Sequence, residues 1–229
     1  MGLALIPHVA RACLTVRPNV RRWHFVPHAS PLLRDLESMR EEQRATVPTF
    51  LWIGRFAAPK RPDLFVRALA ALQRDCEVMG IMAGSGPLLE EMRDLSRRLS
   101  APVEIVGHRE DIRPFLARSW ALGLFSEFEG IPFAVEEAMW AGRAVVASDL
   151  PSLRWLIDQA GFLVRDVGGT VAAFRRLTDR DTATGYGALA ATRIRSMITP
   201  DMPWSFLEQQ YERFLRVQPS DPAEEREQI

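Results

Sequence analysis

The chain has 229 residues, enough for one sizeable domain with an appendage. Hydrophobic residues make up 47% and charged residues 25%, the usual balance of a folded globular domain, and Lys plus Arg equal Asp plus Glu at 29 each. With no net field the chain as a whole is not built to recruit nucleic acid or an anionic membrane, so any anion site has to be local.

The first residues, Met1 to Ile6, are apolar, but Pro7, His8 and Arg11 break the run before it reaches the length of a membrane span or a secretory core. Several arginines with no acid before Asp35 share one feature of organellar transit peptides. Cys13 and Cys76 stand far apart in no metal-ligand spacing, which reads as two reduced thiols in a cytoplasmic protein.

From Pro48 onward, apolar runs of strand length alternate with stretches of helical period. Thr49 to Ile53 predicts a buried strand, followed by Gly54-Arg55 and a loop ending at Arg61-Pro62. Asp63 to Leu72 predicts a helix with Phe65, Leu69 and Leu72 on one face. Glu77 to Ala83 predicts a second strand, ending in Gly84-Ser85-Gly86-Pro87, and Leu88, Met92, Leu95 and Leu99 mark the next helix. Val103 to Val106, Ala121 to Phe125, Ala144 to Ala147 and Phe162 to Val164 predict further strands. Asp111 to Arg118 predicts a short helix, and another runs from about Pro132 to Trp140, stopped by Gly142. Such alternation requires right-handed crossovers into a parallel sheet with helices on both faces, an α/β, Rossmann-like architecture. The nearly continuous apolar strands suit a sheet buried on both sides, and ligands of such sheets sit beyond the carboxyl ends of the strands.

The segment from Ser126 to Gly142 is the richest in chemistry. The fourth strand ends, a loop carries Glu129 and Gly130, and Pro132 opens a helix at its first position. Ile131 has no side-chain acceptor for a cap, so the N–H groups of Phe133, Ala134 and Val135 are expected to be open to an anion at the positive end of the helix dipole. Gly130 admits a ligand close to the backbone, and Glu137 lies one turn into the helix.

Glu129 and Glu137, set within Glu-Gly-Ile-Pro…Glu-Ala-Met…Ala-Gly and followed by Ala144-Val-Val-Ala-Ser-Asp149, resemble the paired-glutamate motif of retaining GT-B glycosyltransferases, family 4 in particular. Gly54-Arg55 with Lys60 resembles the family's Gly-Arg…Lys element, whose cations hold the donor diphosphate. Gly84-Ser85-Gly86-Pro87 resembles its Gly-Asp-Gly-Pro turn, and Gly107-His108-Arg109 falls where its members meet the nucleobase. The resemblance covers residues 22 to 216 and implies the C-terminal half of a GT-B fold. It implies sugar transfer from a nucleotide-diphosphate sugar to an acceptor hydroxyl with retention of configuration. Glu129 would hold hydroxyls of the transferred sugar and Glu137 the ribose. Arg55, Lys60 and the amides following Gly130 would stabilise charge on the leaving diphosphate. Neither a cofactor nor a metal is implied, and Asp179-Arg180-Asp181, late in the chain with no strand before it, reads as a solvated turn. Phe125 departs from the family where many members have proline, and Trp155 departs where a glutamate is common.

Residues 1–46 are expected to be an N-terminal segment and interdomain connection, with Trp23-His-Phe-Val-Pro-His-Ala-Ser30 as the connection itself. Residues 47–200 form the nucleotide-sugar-binding domain, 201–216 a C-terminal helix and 217–229 a disordered tail. In the helix, Trp204, Leu207, Tyr211 and Phe214 share one face, which packs on its own domain or crosses to a partner domain. In the family an N-terminal domain supplies the acceptor site, so the resemblance implies such a partner in cis or trans, and membrane association only through that domain. A truncated chain, one subunit of a split enzyme and a non-catalytic nucleotide-sugar-binding module remain open. A GT-B epimerase fits the glutamate string less well, and a phosphorylase would need a lysine for pyridoxal phosphate.

Overall fold

A computed structural model describes residues 2–4, 23–25, 29–36 and 44–198. The expected C-terminal helix, the tail and Cys13 lie outside the described residues. Two short strands, β1 (Gly2–Ala4) and β2 (Trp23–Phe25), pair in parallel with Gly2 opposite Trp23. Helix α1 (Leu33–Leu36) follows. Runs this short carry no periodicity, and the sequence marks no element at any of the three.

The main sheet is built from β3 (Thr49–Ile53), β4 (Met79–Ala83), β5 (Val103–Gly107), β6 (Ala121–Leu124), β7 (Ala144–Ser148) and β8 (Phe162–Val164). The order is β5-β4-β3-β6-β7-β8 and every pairing is parallel. The chain winds outward from β3 to the β5 edge, then returns to lay β6 against the free side of β3. Connections from β3 and β6 therefore leave in opposite directions, and a crevice opens between them at the carboxyl ends.

Alternating residues of each strand feed two apolar layers. Phe50 and Trp52 of β3 point to one layer, with Phe65 and Leu69 of α2 (Pro62–Leu72), Met92 of α3 (Leu89–Leu99) and Phe174 of α7 (Val167–Arg176). Leu51 points to the other. There it meets Leu116 of α4 (Arg113–Arg118), Val135 and Trp140 of α5 (Phe133–Trp140), Leu156 of α6 (Pro151–Ile157) and Ile194 of α8 (Arg180–Met197). Phe125 is 1% exposed and packs with Phe65 and Phe174, while Phe174 stacks on Phe50 at 4.2 Å between centroids.

For the six strands of the main sheet and helices α2 to α5, the bounds fall within two residues of the sequence reading, which names no helix at α1, α6, α7 or α8. Two corrections concern the ends of helices. Pro132 is the N-cap of α5 and Phe133 its first residue, one position later than expected. Asp179 is exposed as read, but Arg180 and Asp181 already belong to α8 rather than to a turn, and the Asp179 carboxylate caps that helix, accepting from the Thr182 N–H at 2.8 Å and hydroxyl at 2.6 Å. Those bonds hold the Asp179 carboxyl below its ordinary pKa. Gly142 ends α5 as read, with φ +67 and its N–H on the Met139 carbonyl.

Candidate functional site

The loops after β3, β4 and β5 are joined through their backbones. Gly54 N–H donates to the Ala83 carbonyl at 3.1 Å, Phe56 N–H to Ser85 at 2.9 Å, and Gly84 N–H to Gly107 at 2.8 Å. This contact explains two of the glycines. Gly84 and Gly86 have φ +145 and +152, and a Cβ would come within 1.8 Å of the Gly54 carbonyl oxygen and 2.4 Å of that of Phe56. Only glycine allows the loops to meet this closely.

Between these loops lies an open cleft of about 550 Å3, a volume within the range of small-molecule sites. Gly54, Arg55, Gly84, Ser85, Gly86, His108 and Arg109, all expected from the sequence at a ligand site, line it together. The Arg55 side chain has no hydrogen-bond or ion-pair partner among the described residues, and an exposed cation of that kind is a ready anion ligand.

The remaining expected residues are not among those lining this cleft. After β3 the chain makes a 3-10 turn over Ala58–Lys60, and the Pro59 carbonyl accepts from the Glu127 N–H at 2.8 Å, which ties this loop to the one after β6. Lys60 Nζ then reaches Glu129 Oε1 at 2.5 Å, and Ser126 Oγ donates to the same oxygen at 2.6 Å. Ser152 Oγ donates to the Glu129 carbonyl at 2.8 Å, fixing the backbone as well. Glu129 Oε2 accepts nothing from the described residues. Gly130 follows with open space where a Cβ would stand, so no local packing demands a glycine there. Phe128 and Phe133 flank the loop with exposed rings.

The start of α5 needs a correction. Of the three N–H groups expected to be open, that of Val135 turns back to the Pro132 carbonyl at 3.0 Å. No side chain caps this end, so Ile131, Phe133 and Ala134 remain where the sequence placed them, at an uncapped helix start. Glu137 is only 7% exposed, deeper than a residue at the mouth of a site, and Glu136 beside it is 1% exposed. Burial pushes the Glu137 carboxyl above its ordinary pKa, a hydrogen bond from Ser30 opposes this, and the charge of Glu136 adds to the rise.

Ser30 and Ser152 give no local signal in the sequence, since each meets its partner only through the fold. At the ends of β7 and β8, Arg154 and Arg165 clamp Asp149 and hold its carboxyl well below the usual carboxylate range. Among the described residues no group of three or more His, Cys, Asp and Glu could hold a metal ion, and no helix is long and apolar enough to cross a membrane.

A six-stranded parallel sheet in this order, with helices on both faces, defines an α/β domain with the fold seen in GT-B glycosyltransferases. The sequence matches the family model for glycosyl transferases group 1 over residues 47–180, more than half of the chain, and the protein belongs to that family. It is 30% identical over 136 residues to alpha-D-kanosaminyltransferase of Streptomyces kanamyceticus, a match covering 54% of this chain and 35% of that one. Over 92 residues it is 28% identical to an alpha-1,4-N-acetyl-D-galactosaminyltransferase of Campylobacter jejuni, covering 39% of this chain and 26% of that one. It superimposes on a glycosyltransferase from Rickettsia africae with a TM-score of 0.80 at 16% identity, covering 94% of this chain and 64% of that one. The Anabaena protein HepE in complex with UDP and glucose gives a TM-score of 0.75 at 18% identity, covering 94% of this chain and 62% of that one. At these identities the structural likeness is one of fold. The matched segment spans about a quarter to a third of the length of the two curated relatives.

Proposed function

We propose that this chain forms the donor-binding half of a retaining glycosyltransferase, holding a nucleotide-diphosphate sugar across the crevice between β3 and β6. The observation that carries this reading is the Lys60–Glu129 pair, which joins a cation on the loop after β3 to an acid on the loop after β6, where the two connections diverge. The Anabaena relative's complex with UDP and glucose supports the ligand class.

In this reading the nucleoside diphosphate lies along the loops of Gly54, Gly84 and Gly107, with the base toward His108 and Arg109. Arg55 and Lys60 neutralise the charge that grows on the diphosphate as the glycosidic bond breaks, an electrostatic contribution needing no metal. The amides after Gly130 add the positive end of α5. Glu129 Oε1 is occupied by Lys60 and Ser126, so Oε2 is the oxygen left to accept a sugar hydroxyl. Glu137 serves the ribose. The acceptor site comes from a second domain, in cis or trans, and the reaction takes place in the cytoplasm.

Calorimetric titration of the full chain with UDP, GDP and ADP tests the reading. One of the three is expected to bind, and Arg55→Ala should weaken it roughly tenfold or more, the worth of a hydrogen bond to a charged group. No binding at millimolar nucleotide, with Arg55→Ala and Glu137→Ala indistinguishable from the parent chain, rules the donor site out. Binding without sugar transfer, once an acceptor domain is supplied, leaves a binding module.

A further inference from the structure

The second glutamate of the pair is held by a distant part of the chain. Ser30 Oγ donates to Glu137 Oε1 at 2.5 Å, and Ser30 N–H donates to Glu136 Oε2 at 3.0 Å. Ser30, Glu136 and Glu137 are 2%, 1% and 7% exposed, so these bonds form away from competing water. Ser30 is itself fixed in place. Its Oγ accepts from the Leu32 N–H at 3.3 Å and its carbonyl from the Leu33 N–H at 3.3 Å. Leu33 and Leu36 then anchor α1 in the apolar layer that also holds Val135 and Met139 of α5.

Glu137 therefore has one oxygen bound to protein, while Oε2 accepts no hydrogen bond from any described residue. A carboxylate fixed by one oxygen presents the other in a set direction. Two adjacent buried carboxylates also repel each other, and each of them here takes one donor from Ser30.

We infer that Ser30 is a positioning residue for nucleotide binding, holding Glu137 Oε1 so that Oε2 is aimed at the ribose hydroxyls of a nucleoside diphosphate. This rests on the donor-site reading of Glu137. Ser30 touches no ligand. It acts by removing the rotational freedom of the carboxylate and by a hydrogen bond that favours its charged form. A charged acceptor binds a sugar diol more strongly than a neutral one.

The test separates this inference from the reading beneath it. The full chain is titrated with UDP, GDP and ADP, and the tightest binder is compared with its 2′,3′-dideoxy form. Ser30→Ala is expected to weaken the ribonucleotide roughly tenfold while leaving the dideoxynucleotide unchanged, because the lost hydrogen bond acts only through the ribose hydroxyls. Ser30→Thr, which keeps the hydroxyl, should restore the difference. Thermal melting checks that each variant folds, and Ser30→Cys, with a weak S–H donor, replaces the alanine variant if that one does not. Equal losses for both nucleotides, or no loss, overturn the positioning role and leave the donor site standing. Failure of the parent chain to bind any of the three overturns both.

Discussion

Lys60 Nζ lies 2.5 Å from Glu129 Oε1, joining the loop after β3 to the loop after β6 where their connections diverge. The Lys60 side chain is 33% exposed and that of Glu129 9%, so the pair sits at the edge of solvent with the acid on the inside. An exposed pair contributes only about 0–1 kcal/mol to folding, but with the acid this buried, losing the lysine also leaves a carboxylate uncompensated. To a bound anion the lysine offers a hydrogen bond to a charged group, worth about 1.5–3 kcal/mol. Lys60→Ala is therefore expected to lower the denaturation midpoint and also to weaken nucleoside diphosphate binding by roughly 10- to 100-fold. Calorimetry beside urea unfolding checks both halves. A variant that loses stability but not affinity contradicts the assignment.

Gly84 and Gly130 separate structural glycine from ligand-facing glycine. A methyl at Gly84 would stand 1.8 Å from the Gly54 carbonyl oxygen, at a φ of +145. Gly84→Ala should destabilise the chain by about 3 kcal/mol or more, through overlap and backbone strain together. At Gly130 a methyl meets nothing within 4 Å, so Gly130→Ala should change stability by less than about 1 kcal/mol. Under the donor-site reading it still weakens nucleotide binding by roughly tenfold, since the methyl occupies space meant for the ligand. Unfolding curves and titrations of the two variants give the comparison.

Stability should depend on pH through Glu137. Its carboxyl has a raised pKa in the folded chain, chiefly through burial, against an ordinary value of 4.5. A raised acid binds its proton more tightly when folded, so its contribution is present at low pH and is lost as pH rises from about 4.5 through the folded value. Above that window the buried charge destabilises the fold. Glu137→Gln, which keeps an acceptor for Ser30, is expected to melt higher than the parent at pH 7.5, by about 2–4 °C per kcal/mol for a chain of this size. The gain should shrink toward pH 4.5, while nucleotide affinity falls at neutral pH. A melting point lower than the parent's at pH 7.5 contradicts this account.

Metal addition and removal should be without effect. Asp179 caps α8, and the cations at the proposed donor site are side chains. Neither chelator nor excess manganese is expected to alter nucleotide affinity, and Asp179→Asn, which retains a capping acceptor, should behave as the parent does. A manganese-dependent rise in affinity would reopen metal-assisted chemistry.

Much of the fold was legible because the strands are uninterrupted apolar runs such as Thr49–Ile53 and Ala144–Ser148, and a parallel sheet buried on both faces requires that pattern. In such a sheet every strand ends at the same rim. The order of Gly54-Arg55, Gly84-Ser85-Gly86 and His108-Arg109 along the chain therefore leads to one rim, where they line a common cleft. Helices α6 to α8 carry no reading in the sequence analysis, and the capping role of Asp179 shows only once the α8 backbone donors are in place.

By itself, then, the sequence determined the layer architecture, the rim and the residue types brought to it. Tertiary structure alone decided what each of them touches. Ser30 and Glu137 are 107 residues apart, and Ser152 is 23 residues beyond the Glu129 carbonyl that it holds. Which oxygen of each glutamate is spent on the protein follows from how α1, α5 and the loops after β3 and β6 pack against one another. Hydrogen bonds of this kind depend on distances of a few tenths of an ångström between surfaces. A one-dimensional pattern specifies the surfaces, and only their packing sets the distances.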